Sequence, residues 1–373
     1  MLSGTSTHPF DSLLTQCIDK GASDMHLSVN CYPTYRISGE LLPDETDTPI
    51  TDKRQQEIVQ SFLEPQQLER LRQERSLDVG YSIQGNHRFR INVYFERGGI
   101  AIASRWLDGT FHPIEDLRLP PQIGRLAELK DGLVLVTGPT GSGKSTTLAS
   151  LINSINLQRR CHILTVEDPI EFVYINEKAT VHQREVGTDV PSFSQAIRAA
   201  MREDPDVILL GEMRDTETMT AALMAAETGH LVFSTLHTND AVGVIDRLVG
   251  AFPGEEQDGV RKQLSMVLRA VVTQILVKTD DGRGRIPINE ILIVNNGVAN
   301  LIRNHKPEQI RSMMETGRAT GNQTLEYALA SRVKEKLLSK EQAMRLTHRP
   351  ANLDEMLRVL QAETSNTSQG NRR

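Results

Sequence analysis

Between Phe10 and Lys20 the apolar side chains fall at Phe10, Leu13, Leu14, Cys17 and Ile18. That is the three-to-four spacing of one helix face, and Gly21 directly after it is a stop signal. Short alternating stretches follow at residues 25–29 and 35–37, with Ser38-Gly39 as a turn. Residues 55–72 read as helix with a break near Pro65. Residues 76–83, 88–95 and 100–106 read as strands, parted by polar turns at 84–86 and 97–99. This pattern predicts a small α+β domain with an antiparallel sheet over residues 1–107, its first eight residues a disordered start.

Turn formers then cluster in Asp108-Gly-Thr-Phe-His-Pro113, which marks a linker over residues 108–115. Beyond it the pattern changes. Residues 133–137, 162–166, 207–210 and 231–235 are short apolar runs separated by helix-like segments. That alternation predicts a second domain, residues 116–362, built on a mostly parallel sheet covered on both faces. Ligands of such sheets sit outside the carboxyl ends of the strands. From about Pro253 onward the pattern predicts mainly helices, and the polar residues 363–373 a disordered tail.

Composition narrows the function classes. The 373 residues suit two domains, and 38% hydrophobic with 24% charged residues is an ordinary globular balance. Aromatics at 4% and a net charge of −6 argue against a basic, stacking nucleic-acid binder. Cys17, Cys31 and Cys161 form no Cys-x-x-Cys pair, so a zinc knuckle and a dithiol redox motif are both excluded. Reduced thiols in a cytoplasmic protein are the expectation. No secretory signal is visible and no apolar run approaches the ~18 residues of a membrane helix, so membrane association is expected to run through a partner.

Gly138, Pro139, Thr140, Gly141, Ser142, Gly143, Lys144 and Ser145 fit the pattern G-x-x-x-x-G-K-[ST]. Glycines let successive backbone N–H groups turn inward around phosphate oxygens. A helix starting at Lys144 aims its positive end at the same anion. In this pattern Lys144 reaches the β- and γ-phosphates of ATP, the Ser145 hydroxyl ligates Mg²⁺, and Thr146 is placed to bond the α-phosphate. A predicted strand before the motif and a predicted amphipathic helix after it are the context that gives it meaning.

Three acidic positions are candidates for the rest of the chemistry. Glu167, Asp168 and Glu171 follow the second apolar run and are placed to orient water or metal; taken alone they read first as a charged turn, since acidic turns are common. Glu212 ends the run Val207-Ile-Leu-Leu210, an ATPase-like apolar strand closed by a carboxylate for Mg²⁺, with Gly211 where many such motifs carry Asp. His230 and His237 bracket the last run. Their spacing argues against a shared metal, and His237 is placed to sense the γ-phosphate. Arg88, Arg90, Arg97 and Arg105 lie in or beside the last strands of the first domain, either as solvated charges or as groups that neutralise phosphate.

Taken together, 138–145, Glu167-Asp-Pro-Ile-Glu171, Gln183-Arg-Glu-Val186, Arg202-Glu-Asp-Pro-Asp206, Gly211-Glu-Met-Arg-Asp215, Glu227-Thr-Gly-His230 and Leu236-His-Thr238 resemble the type II/IV secretion-system ATPases, from about Lys20 to Leu360. Within that family the set is most similar to the pilus retraction (twitching motility) branch, PilT-like and PilU-like. The resemblance implies a PAS-like first domain and a RecA-like P-loop ATPase domain. It implies a homo-hexamer that hydrolyses ATP with Mg²⁺ and works on an inner-membrane pilus platform protein, with a paralogous pilus ATPase as a further candidate partner. It implies Glu167 as catalytic base, Glu212 as the Walker B glutamate, His230 and His237 as a histidine box, and Arg105, Arg90 and Arg97 as arginines that act on phosphate.

The family's assembly ATPases carry a long N-terminal extension and a four-cysteine zinc site, and this sequence has neither, which favours retraction. Where the retraction branch carries Ala-Gly-Leu-Ile-Arg-Glu, this chain has Ala299-Asn-Leu-Ile-Arg-Asn304. The segment Pro350-Ala-Asn-Leu-Asp-Glu-Met-Leu357 is closer to the PilU-like group. A pilus assembly or type II secretion ATPase and an accessory paralogue are the near alternatives. A RecA-like nucleic-acid translocase and a non-hydrolysing adaptor are the distant ones.

Overall fold

The computed structural model describes residues 8–83, 87–282 and 284–370. The predicted turn at 84–86, the first seven residues of the predicted disordered start and the end of the tail at 371–373 lie outside the described residues. The chain divides into two units: residues to Thr110 together with Pro169–Val173, and Phe111–Asp168 together with Tyr174 onward.

In the first unit, helix α1 (Pro9–Asp19) is followed by strands β1 (Asp24–Ser28), β2 (Thr34–Ile37) and β3 (Glu40–Pro43). Helices α2 (Asp52–Phe62) and α3 (Pro65–Glu74) precede β4 (Ser76–Ile83), β5 (His87–Glu96) and β6 (Gly99–Leu107). Pro65 opens α3, where its missing N–H costs nothing, and so divides the helical run. The six strands pair antiparallel in the order β3-β2-β1-β6-β5-β4. Alternation sets the two faces: Phe89, Ile91 and Val93 of β5 enter the core with Phe10, Leu13, Leu14 and Cys17 of α1. Arg88, Arg90 and Asn92 take the other face. The sequence pattern missed β3, whose residues are all exposed and therefore carry no alternation.

The second unit begins with α4 (Pro121–Gly124) and runs through β7 (Gly132–Thr137), α5 (Lys144–Gln158), β8 (His162–Glu167), β9 (Thr180–Glu185), α6 (Phe193–Ala200) and β10 (Val207–Leu210). It continues with α7 (Thr216–Glu227), β11 (Leu231–Leu236), α8 (Gly243–Val249), α9 (Gln257–Val267), β12 (Leu268–Lys278) and β13 (Arg285–Ile293). Five helices close the chain: α10 (Asn296–Arg303), α11 (Pro307–Thr316), α12 (Leu325–Lys334), α13 (Lys340–Leu346) and α14 (Pro350–Gly370). The seven strands are ordered β13-β12-β7-β11-β10-β8-β9, all parallel except that β13 pairs antiparallel to β12. One core lies on the face covered by α6 to α11, another on the face covered by α4 and α5. Burial on both faces is why β7, β10 and β11 are continuous apolar runs rather than alternating ones.

Two expectations change here, and one further strand went unread. The region after Pro253 is not mainly helical: β12 and β13 are long strands of the same sheet. Their β-branched residues Val271, Val272, Thr273, Ile275 and Val277 favour a strand, but a doubly buried apolar run has no period that separates strand from helix. The polar edge strand β9 also escaped the pattern, since its sequence Thr-Val-His-Gln-Arg-Glu offers little to bury. Finally, the expected disordered tail from Glu363 continues as α14 backbone to Gly370, there being no Gly or Pro before that point to stop it.

Candidate functional site

The site grows from the carboxyl edge of the second unit's sheet. Strand β7 ends at Thr137 and the chain turns through 138–143 into α5. Gly138 and Gly143 sit at φ 136° and 84°. A Cβ on Gly138 would fall on the Gln274 carbonyl, and one on Gly143 would lie 2.9 Å from the Gln274 amide nitrogen. Both positions therefore require glycine for conformation and for space. Lys144 is buried, and its Nζ donates to the Gly138 and Pro139 carbonyls at 3.0 Å each. Ser145 is exposed and Thr146 half-buried at the first turn of the helix.

Gln274 of β12 shapes this loop, and the sequence pattern gave it no role. Its Nε2 donates to the Ser142 carbonyl at 2.7 Å, and its Oε1 accepts from Thr147 Oγ1 at 2.9 Å and from Asn289 Nδ2 at 3.0 Å. The available signal was a polar amide inside the apolar run 268–277. Beside Gln274 a cavity of about 680 Å³ opens, with Gly143, Thr146 and Thr147 on one wall and Leu276 and Pro287 on another. Its volume falls in the range of small-molecule sites.

Parallel pairing places the ends of β11, β10 and β8 beside the end of β7. Two strand spacings, about 10 Å, separate the phosphate-loop strand from β10. After β10, Glu212 is 2.6 Å from Arg214 through Oε1 and 3.8 Å from His237 Nε2 through Oε2. Arg214 is a second residue whose part was not foreseen, although it stands in the motif already noted. Glu167 ends β8 and is buried. Its Oε1 accepts from the Thr165 hydroxyl at 2.7 Å and the Gln183 amide at 3.3 Å. Those donors orient the carboxylate.

His230 does not join this group within the chain. It precedes β11 at the amino edge of the sheet, where its carbonyl accepts the Gly132 N–H. Its Nδ1 lies 2.9 Å from the Ala225 carbonyl and 3.2 Å from Thr228 Oγ1. Six strand residues at about 3.3 Å each hold it roughly 20 Å from His237. Its visible role is to close the end of α7.

The arginines belong to the first unit. Register sets Arg36, Asp24, Arg105 and Arg90 in one row across β2, β1, β6 and β5. Arg105 Nε donates to Asp24 Oδ1 at 2.8 Å while its side chain stays 67% exposed. Arg90 is 3.8 Å from Asp78. Burial pushes the Asp24 carboxyl up, but the Ser23 hydroxyl and Arg105 outweigh it and hold the group below its ordinary value. Arg88 donates to the Ile170 carbonyl in the segment 169–173 of the same unit, and Arg97 is exposed in the β5–β6 turn.

A glycine-lined phosphate loop, a nucleoside-sized cavity beside it and carboxylates at neighbouring strand ends define the class: a P-loop ATPase with a RecA-like sheet. The profile of the Type II/IV secretion system protein family matches residues 10–372, and the chain belongs to that family. It is 45% identical over 319 residues to the twitching motility protein of Neisseria gonorrhoeae, covering 84% of each chain. It is 42% identical over 344 residues to the type IV pilus retraction ATPase PilT of Pseudomonas aeruginosa, covering 91% of this chain and 98% of that one. The crystal structure of a pilus retraction motor PilT with bound ADP superposes with a TM-score of 0.85 at 42% identity, over 92% of this chain and 98% of that chain. Among the described residues no helix is long and apolar enough to cross a membrane.

Proposed function

We propose that this protein is the ATP-driven motor of type IV pilus retraction. Six copies of the chain form a ring at the cytoplasmic side of the inner membrane and act on the membrane platform protein that handles pilin. One observation carries the reading: the phosphate loop, Glu167 and the Glu212–His237 pair lie on neighbouring strand ends of a chain that is 42% identical, nearly end to end, to a pilus retraction ATPase.

ATP fits the residues present. The phosphate loop supplies inward backbone amides and Lys144 for the phosphates, and the cavity beside Gly143 and Thr147 receives the nucleoside. Mg²⁺ fits as well, because it needs only one or two protein oxygens besides phosphate and water; Ser145 Oγ and the Glu212 carboxylate are the candidates. When bound, the metal neutralises charge on the β- and γ-phosphates. Phosphoryl transfer asks little covalent chemistry of the protein, so the side chains act by position. Lys144 leaves its carbonyl partners for phosphate oxygens. Glu167, fixed by Thr165 and Gln183, accepts the proton of the attacking water. His237 reads the γ-phosphate from beside Glu212. Arg105, and Arg90 after it, are assigned to phosphate charge, as the family resemblance implies.

The test is the number of surface pili on cells lacking the gene, complemented with wild type or Lys144→Ala. A surplus of pili corrected only by wild type supports the retraction motor. Bald cells mean an assembly or secretion motor instead. An unchanged count points to an accessory role beside a paralogous ATPase. Stimulation of hydrolysis by DNA or RNA would favour the translocase reading, and none is expected.

A further inference from the structure

Behind His237 lies a buried ion network that the phosphate chemistry does not use. The chain leaves β11, passes His237 and reaches Ala241, whose N–H donates to Glu290 Oε2 at 2.8 Å. Glu290 stands on β13 opposite Thr273 of β12, and Thr273 Oγ1 is 2.8 Å from Thr137 Oγ1 at the last position before the phosphate loop. Glu290 is thus in line with the nucleotide-binding edge of the sheet. From its other side comes Arg311 of α11. Arg311 Nη1 is 3.6 Å from Glu290 Oε1, while Nη2 is 3.0 Å from Glu326 Oε2 on α12. The Thr347 hydroxyl donates to the other oxygen of Glu326 at 3.0 Å.

One guanidinium therefore serves two carboxylates whose side chains are only 4% and 5% exposed. The sharing is uneven. Arg311 hydrogen-bonds Glu326 but stands off Glu290 at a distance too long for a hydrogen bond. Among the described residues neither Glu290 Oε1 nor Arg311 Nε has a hydrogen-bond partner. Among the described residues, the hydrogen bond that the Glu290 carboxylate accepts comes from the Ala241 amide of the His237 loop. Burial pushes the Glu290 carboxyl up; Ala241 and Arg311 pull against this, and Asp240 and Glu326 add to it.

We propose that Glu290 is a positioning residue for ATP hydrolysis: it holds the His237 loop through the Ala241 N–H and hands displacement of that loop to α11 and α12 through Arg311. A buried carboxylate does not tolerate losing its donor. When nucleotide shifts the loop, Glu290 therefore moves with Ala241, and Arg311 closes its gap of under an ångström to Glu290, loosening its hold on Glu326. Two discrete pairings of one arginine make a small shift at the nucleotide into a change in how two helices pack. The inference rests on the reading that His237 acts on the γ-phosphate.

The test measures steady-state hydrolysis by the full chain, with affinity for a fluorescent ATP analogue as control. Glu290→Ala is expected to lower kcat at least tenfold with affinity within about threefold, and Glu290→Gln, which keeps the acceptor for Ala241, to restore kcat to within about threefold of wild type. Combined with His237→Ala, Glu290→Ala should add no further loss. If His237→Ala alone leaves kcat unchanged, the reading of His237 fails. If His237→Ala is slow but Glu290→Ala is not, or if Gln is as slow as Ala, the tether is wrong. Hydrogen–deuterium exchange tests the relay and still decides should Glu290→Ala not fold. In wild type a non-hydrolysable ATP analogue should change exchange at both 237–243 and 307–334, whereas Glu290→Gln should respond only at 237–243. No response at 307–334 in wild type, or the same response in both proteins, overturns the relay.

Discussion

Gln274 Nε2 donates to the Ser142 carbonyl at 2.7 Å, so a strand more than a hundred residues downstream sets the shape of the phosphate loop. The amide also holds Thr147 and Asn289, and all three contacts are buried. Loss of such bonds leaves unsatisfied groups at about 1–2 kcal/mol, which is about 5–30-fold in a binding constant. Gln274→Ala is therefore expected to weaken ATP affinity by that factor with kcat less affected. Isothermal titration with ATP checks it, and an unchanged dissociation constant would mean the loop holds its shape alone.

Glu167 is oriented by Thr165 and Gln183 rather than left to solvent. General bases contribute about 10²–10⁴-fold. Glu167→Gln should lose turnover by that factor and keep ATP affinity within about threefold, read by phosphate release beside nucleotide binding. Phosphate release at the wild-type rate would instead support a non-hydrolysing role or a different base.

The two histidines should separate cleanly. His237 lies 3.8 Å from Glu212, and its replacement by Ala should lower kcat. His230 makes its hydrogen bonds at the other edge of the sheet. His230→Ala should cost about 1 kcal/mol of stability, or about 2–4 °C in melting temperature, with kcat within about twofold. A His230 variant that melts normally but has lost hydrolysis would return that residue to the reaction, through a neighbouring copy of the chain.

Glu290 gives the stability curve a sign. Burial raises its carboxyl above the ordinary value of 4.5. A raised acid contributes stability that is present below its unfolded value and lost as the pH climbs through the folded one. Glu290→Gln has no such loss, so its melting temperature relative to wild type should rise from about pH 4.5 toward pH 8. A difference that is flat or falls over that range contradicts a raised Glu290.

Much of this protein was legible in the chain itself. The phosphate loop could be read because its glycines, lysine and serine are local in sequence and each answers a local need of backbone or phosphate. The strands β7, β8, β10 and β11 could be read because doubly buried parallel strands must be short apolar runs, and the places of Glu167 and Glu212 because the first ends one run and the second follows another by two residues. What the tertiary structure decided was which distant residues complete those parts. Nothing near Gln274 says that it will hold Ser142, since the pairing of β12 with β7 brings them together across about 130 residues. His230 and His237 look like one motif in a row of letters, but an extended strand carries them to opposite edges of the sheet. Glu290, Arg311 and Glu326 look like ordinary solvated charges until β13, α11 and α12 fold over them. Local patterns record what each segment must bury or bind, whereas partnership between segments depends on packing, which one-dimensional spacing does not contain.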